Sequence, residues 1–379
     1  MKRILLLFLL LPILGTAQIQ YKTVDSEILN ESRSLMIQLP ASYEQNTDKS
    51  YPVIITMDGE YLFELVAGNV NYYSYWDEMP EVIVVGINQK NSRKKDVTYD
   101  ADTNLPKDDS ADFYEFLGGE LLPLIDKNYR TVPLDILVGF DMTANFINYY
   151  LLKENKLFQG FINISPDYAE KMPHWIHGAL AKSQQKIWYY LATGTEDASS
   201  LRKKIIQFDK SMDSLPNPKT HYAFDDFKNA RHYTLPGRAI PKALTFVFSA
   251  YSPITTVELS KLEKEDQSPF DYLVDKYETI KNQYKLDIKT KIQDYLSIAS
   301  AIEKTEKWED YKKLSKRAAK EYPNKILAPY FKGRYYESTG KYRRAIKTFK
   351  KAYGYDNVQG LTGEMALHRM KVLQQDFGN

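Results

Sequence analysis

The stretch "DILVGFDMTANFI", Asp135 to Ile147, decides the fold. Ile136, Leu137 and Val138 belong to an unbroken apolar run, the pattern of a strand covered on both faces. From Thr143 the sequence "TANFINYYLLKEN", ending at Asn155, reads as a helix. Gly139 to Met142 therefore form a sharp turn, and the residue at its middle, Asp141, stands over the end of the strand.

The same alternation extends outward from this point. "SLMIQLP" (Ser34 to Pro40), "YPVIITMDG" (Tyr51 to Gly59), "EVIVVGIN" (Glu81 to Asn88), "LDILVGF" (Leu134 to Phe140), "GFINISP" (Gly160 to Pro166), "KIWYYLATG" (Lys186 to Gly194) and "THYAFDDF" (Thr220 to Phe227) read as strands. Helical segments such as "SADFYEFLGGELLPLIDKNY" (Ser110 to Tyr129) lie between them. Short apolar strands alternating with helices predict an α/β, doubly wound, mostly parallel sheet over residues 18–252.

Near Pro253 the composition shifts. Residues 253–290 are highly charged, carry no strand signal and read as linker and helices. Residues 291–379 contain an internal repeat. Gly333, Tyr336, Ala345, Phe349 and Ala352 follow the spacing of a tetratricopeptide repeat, and Lys307, Trp308 and Ala318 stand one period of about 34 residues before Lys341, Tyr342 and Ala352. Two repeats and a closing helix from about Leu361 to Gln375 are expected, forming a small all-α domain. Such repeats present concave surfaces to peptides and proteins, which makes a protein the expected partner. The basic run Lys341 to Tyr355 is read as the solvated face of a repeat helix, with docking to an acidic partner as its alternative.

The chain opens "MKRILLLFLLLPILGTAQ", two basic residues before a short apolar run and then small residues. This predicts a signal peptide over residues 1–17 and an exported protein, periplasmic or extracellular and associated with the cell envelope. The apolar run is too short for a permanent span, so an integral membrane protein is not expected. With 51 basic and 49 acidic residues the net charge is +2, which provides no overall field for nucleic acid. The chain has no cysteine, which excludes disulfides and thiolate metal sites. Its 30 tyrosines are read chiefly as packing residues whose hydroxyls stay in water.

"YPVIITMDGEYLF" (Tyr51 to Phe63), "MPEVIVVGINQKNSRKKDVT" (Met79 to Thr98), "ELLPLIDKNYRT" (Glu120 to Thr131), "ILVGFDMTANF" (Ile136 to Phe146), "FINISP" (Phe161 to Pro166) and "ARHYTLPGRAIPKALTFVF" (Ala230 to Phe248) together resemble the esterase D family of α/β-hydrolases, which includes ferric enterobactin esterases. The resemblance implies an α/β-hydrolase fold, and an appended tetratricopeptide region is a familiar arrangement in exported members. It also implies a serine on the elbow, in a GxSxG motif, with a histidine as base and a carboxylate to orient it. By motif position His232 matches the histidine, and Glu196 or Asp197 the acid. The backbone N–H groups of Met142 and of the Met57 to Tyr61 loop, at Gly59 or Glu60, would match the oxyanion donors.

The elbow departs from that pattern twice, with Asp141 for the serine and Thr143 for the second glycine. A β-branched residue at position 143 predicts a relaxed turn. A carboxylate at 141 would repel a developing oxyanion, and its acyl product would be a mixed anhydride. Loss of the reaction is the leading expectation: an esterase-like pseudoenzyme with, at most, a small ligand in its cleft. The alternative is a hydrolase with Asp141 as nucleophile and His232 as base, as in enzymes resembling haloalkane dehalogenases; residual esterase activity through Thr143 or Ser165 is a further one. No cofactor and no metal site are expected. His174 and His177 share a helical face but lack an evident third ligand. "NYYSYW", Asn71 to Trp76, is read as part of a helix packed on the sheet, with an aromatic platform at the cleft mouth as the alternative. Arg93, Lys94 and Lys95 follow a strand end and could attract an anion.

Overall fold

The computed structural model describes residues 19–265 and 267–377. The predicted signal peptide lies outside the described residues. Two compact units follow one another, one ending at Ser249 and the other beginning at Ala250.

The first unit is built on eight strands: β1 (Ile19–Ser26), β2 (Glu31–Gln38), β3 (Tyr51–Thr56), β4 (Ile83–Ile87), β5 (Thr131–Phe140), β6 (Gly160–Ile164), β7 (Ile187–Glu196) and β8 (Thr220–Arg231). Their order in the sheet is β1-β2-β4-β3-β5-β6-β7-β8. The pairs β1/β2 and β2/β4 are antiparallel, and every other pair is parallel. Helices α1 (Gly59–Tyr75), α2 (Arg93–Val97), α3 (Asp109–Phe116), α4 (Leu122–Asn128), α5 (Met142–Ile147), α6 (Met172–Lys182), α7 (Ser199–Met212) and α8 (Leu235–Val247) fill the connections. Val53, Ile54, Ile55, Val84, Val85, Ile136 and Leu137 have no exposed surface, because both faces of the central strands are covered.

Three local features differ from the sequence reading. Strand β1 was not expected: its residues are largely polar and half exposed, as an edge strand allows, and its pairing with β2 fixes it. The segment Ser110 to Tyr129 is not one regular helix. Leu117–Leu121 form a π turn between α3 and α4, where Gly118 and Gly119 sit. There the Glu120 carboxylate accepts from Ser26 Oγ and from the N–H groups of Glu27 and Ile28, closing the β1–β2 hairpin. Past the elbow, α5 ends at Ile147 and continues as a 3₁₀ turn, Asn148–Leu152, rather than a helix to Asn155.

The regular elements of the second unit, among the described residues, are all helices: α9 (Thr256–Lys264), α10 (Pro269–Tyr284), α11 (Ile292–Thr305), α12 (Glu309–Glu321), α13 (Leu327–Ser338), α14 (Tyr342–Ala352) and α15 (Gly363–Phe377). Small residues allow the close packing. A Cβ on Gly333 would lie 2.4 Å from the ring of Phe349, and Ala318, Ala345 and Ala352 are fully buried. No described helix is long and apolar enough to cross a membrane.

Candidate active site

The parallel strands deliver their C-terminal ends to one edge of the sheet, where open α/β sheets place their ligands. The loops after β3, β4, β5, β6, β7 and β8 bring Asp58, Arg93, Asp141, Ser165 with Asp167, Asp197 and His232 to this edge.

Asp141 stands at φ 59°, ψ −118°, a conformation that costs a non-glycine residue about 1–3 kcal/mol. Two neighbours explain why it persists. A Cβ on Gly139 would lie 2.7 Å from the Ala144 Cα, so the helix presses directly on the strand. Thr143 is fully buried; its Oγ1 accepts from the Phe140 N–H at 2.9 Å and donates to Asp58 Oδ2 at 2.7 Å. The expected relaxation of the turn does not occur, because the threonine hydroxyl bonds to the turn and to its neighbour instead of pushing them apart.

Arg93 ties the carboxylates of this edge together. Its Nε donates to Asp58 Oδ1 at 2.6 Å, one terminal nitrogen donates to the Phe140 carbonyl at 2.9 Å, and the other lies 3.3 Å from Asp141 Oδ2. Burial works against the guanidinium's charge, but the hydrogen bond and charge of Asp58 outweigh it and hold the proton more firmly than usual. Arg93 thus has two anionic partners within the chain. Lys94 is exposed, and Lys95 pairs with Glu31 at 3.3 Å.

On the far side of Asp141, His232 begins a 3₁₀ turn directly after β8. Its Nδ1 donates to Asp197 Oδ1 at 2.8 Å, and its ring lies 4.6 Å from that of Phe140. In the neutral ring that bond assigns the lone pair to Nε2, the form a general base needs. The Asp197 side chain has no exposed surface and also accepts from Ser165 Oγ at 2.6 Å, Thr193 Oγ1 at 2.8 Å and its neighbour's N–H, that of Ala198, at 2.8 Å. Burial pushes its carboxyl up, and these four bonds, that from His232 foremost, bring it below the usual carboxylate range. Glu196 points to solvent at the end of β7. Of the two acids left open by the sequence, Asp197 is the one that meets His232.

Other expected groups are distributed as follows. Met142, Gly59 and Glu60 are among the first residues of α5 and α1, so no intrahelical carbonyl takes their N–H groups. The Glu60 carboxylate accepts from the Gln89 N–H at 2.9 Å. The hydroxyls of Thr143 and Ser165 are both buried and both engaged by carboxylates. "NYYSYW" closes α1, which starts at the cleft and runs about 25 Å away from it, so these aromatics are not at the cleft mouth. His174 and His177 lie in α6 on an open groove facing α7, and among the described residues no three His, Asp or Glu gather as metal ligands would. Three residues of the site escaped the sequence reading: Asp58, Ser165 as a partner of Asp197, and Asp167. The Asp167 N–H donates to the Asp141 carbonyl at 3.1 Å, and its carboxyl is pushed up, first by burial and then by the charge of Asp141. Only Asp58 left a signal, as a charged residue inside an apolar strand end that must find a partner if buried.

A family model described as "Putative esterase" matches residues 26–232. A solved structure of an uncharacterised protein from Capnocytophaga ochracea is 30% identical, with 94% of this chain and 100% of that one covered and a TM-score of 0.83. An IroE-like serine hydrolase from Shewanella oneidensis is 18% identical over 79% of this chain and 98% of its own, with a TM-score of 0.61. The siderophore hydrolase EstA from Aspergillus nidulans is 12% identical over 61% and 94%, with a TM-score of 0.52. None of the curated proteins matches. The last two structures share the fold with this chain.

Proposed function

The chain belongs to the esterase family whose model spans residues 26–232, and from that premise we propose a member that has given up ester hydrolysis and serves as a binding or assembly component of the cell envelope. The observation that carries this reading is Asp141 on the strained elbow, with Arg93 3.3 Å from its carboxylate. A serine there would lose its proton to His232 and attack a carbonyl; a carboxylate has no proton to give, and its charge opposes the oxyanion. Residual hydrolysis through Thr143 or Ser165 finds no support, since each hydroxyl is buried and bonded to a carboxylate. The helical unit supplies the partner-binding surface in this reading, as tetratricopeptide-type repeats formed by α11 with α12 and α13 with α14, closed by α15. The experiment is hydrolysis of a small activated ester by the natural protein, Asp141→Ser and Asp141→Ala. Turnover by the serine variant alone supports a hydrolase disabled at one residue; turnover by the natural protein that alanine abolishes overturns the reading.

A second reading is favoured by one observation, the intact His232–Asp197 pair beside a residue that needs no base. In it Asp141 displaces a leaving group at carbon and His232 activates the water that cleaves the resulting ester. Added mass on Asp141 in a His232→Ala variant given an alkyl halide or epoxide would establish it, and unchanged mass would remove it.

A further inference from the structure

Helix α14 divides its two faces sharply. Ala345, Phe349 and Ala352 are buried, while Arg343, Arg344, Lys347, Lys350 and Lys351 are all exposed on the opposite arc, with Lys341 just before the helix. The helix contains no acidic residue, and among the described residues none of these six cations takes part in a salt bridge. Helix α12 behaves differently: Lys312, Lys313 and Arg317 each pair with an acid on the same helix, Glu309, Asp310 and Glu321. Lys341 and Arg344 lie over the rings of Tyr335 and Tyr336, which leaves the charge of α14 a strip without acidic partners in a chain whose total is only +2. Exposed aromatics stand at both ends, Tyr353 beyond the helix and Phe377 stacked on Tyr342 at 3.8 Å where it begins.

We infer that this face of α14 docks on an anionic phospholipid surface. A protein interface places apolar or aromatic anchors at its centre and thins out charge there; the centre of this strip is Lys347 among other cations. A headgroup layer asks only for a row of positive charge, here about 15 Å long. The apolar side of α14 is committed to the helical core, so docking is electrostatic, without insertion, and yields to salt. The inference rests on this surface alone and is independent of the chemistry at Asp141.

The test is co-sedimentation of the purified protein with vesicles of phosphatidylcholine, with and without phosphatidylglycerol, at low and high salt. Binding is expected only with phosphatidylglycerol and is lost as salt rises. At roughly fivefold per cation, Lys347→Gln/Lys350→Gln/Lys351→Gln lowers the partition by about 100-fold. Arg343→Gln/Arg344→Gln gives an independent loss, and Lys312→Gln/Lys313→Gln/Lys316→Gln on α12 leaves binding unchanged, with far-UV circular dichroism checking that each variant is folded. No binding to phosphatidylglycerol vesicles, or binding that survives both sets of α14 substitutions, overturns the proposal. Retention on heparin without retention on vesicles also overturns it, in favour of a soluble polyanion.

Discussion

Asp141 holds a costly backbone conformation, and its side chain is answered by Arg93 and not by a proton acceptor. If the neighbouring groups are still set for acyl transfer, Asp141→Ser produces measurable ester turnover and a further Asp197→Ala lowers it by about 10⁴-fold, because His232 loses its tautomer. Arg93→Ala leaves the fully buried Asp58 without its strongest partner, and a loss of about 3 kcal/mol in urea unfolding is expected. A separate carboxyl, Asp135, has an unpartnered buried oxygen, and burial pushes it up to about 8. The folded state thus binds a proton that the unfolded state releases near 4, so Asp135 costs stability as pH rises through 4 to 8, by up to about 1.4 kcal/mol per unit. Asp135→Asn flattens that decline, as urea midpoints at pH 5 and pH 8 would measure. The sequence placed Asp141, His232 and the Glu196/Asp197 pair at strand ends. It could not reveal Asp58 with Arg93, or Ser165 with Asp197, because those pairs form between loops far apart in the chain that only the strand order brings together.

At the level of single elements, apolar continuity made the central strands readable and left the edge obscure. Strands β3 to β7 announce themselves because both faces are covered, whereas β1 has a water-facing pattern indistinguishable from a loop until its register with β2 is known. Glycine positions separate local preference from packing. Gly333 lies inside α13, where alanine ordinarily gains about 1 kcal/mol in helix propensity. Here its Cβ would come 2.4 Å from Phe349, and displacing a buried ring outweighs that gain. Gly333→Ala is therefore expected to lower stability by about 1–3 kcal/mol, read as a lower melting temperature of the full chain.

Across the whole molecule, the change in composition near Pro253 announced a second body of different architecture, and the two compact units divide at Ser249 and Ala250. Residues 250–379 carry their own buried residues, including Leu273, Ile280, Tyr295, Ile298, Leu314 and Phe331. Expressed alone, this fragment is expected to give a helical circular dichroism spectrum and a cooperative melt; a featureless spectrum would refute its independence. In the first unit, the π turn at Leu117–Leu121 sets a condition that side-chain chemistry does not express. It holds one residue more than regular winding requires, so α3 and α4 are out of phase by that single step, and the step aims Glu120 at the β1–β2 hairpin. Chain length at this point is itself a specified quantity: removing either Gly118 or Gly119 would restore ideal winding and turn one half of the helix by about 100° against the other. A deletion that improves local geometry would thereby unlatch the edge of the sheet, while exchanging Gly119 for alanine, whose Cβ would meet Ile28 at an ordinary 3.7 Å, keeps the count and so keeps the latch.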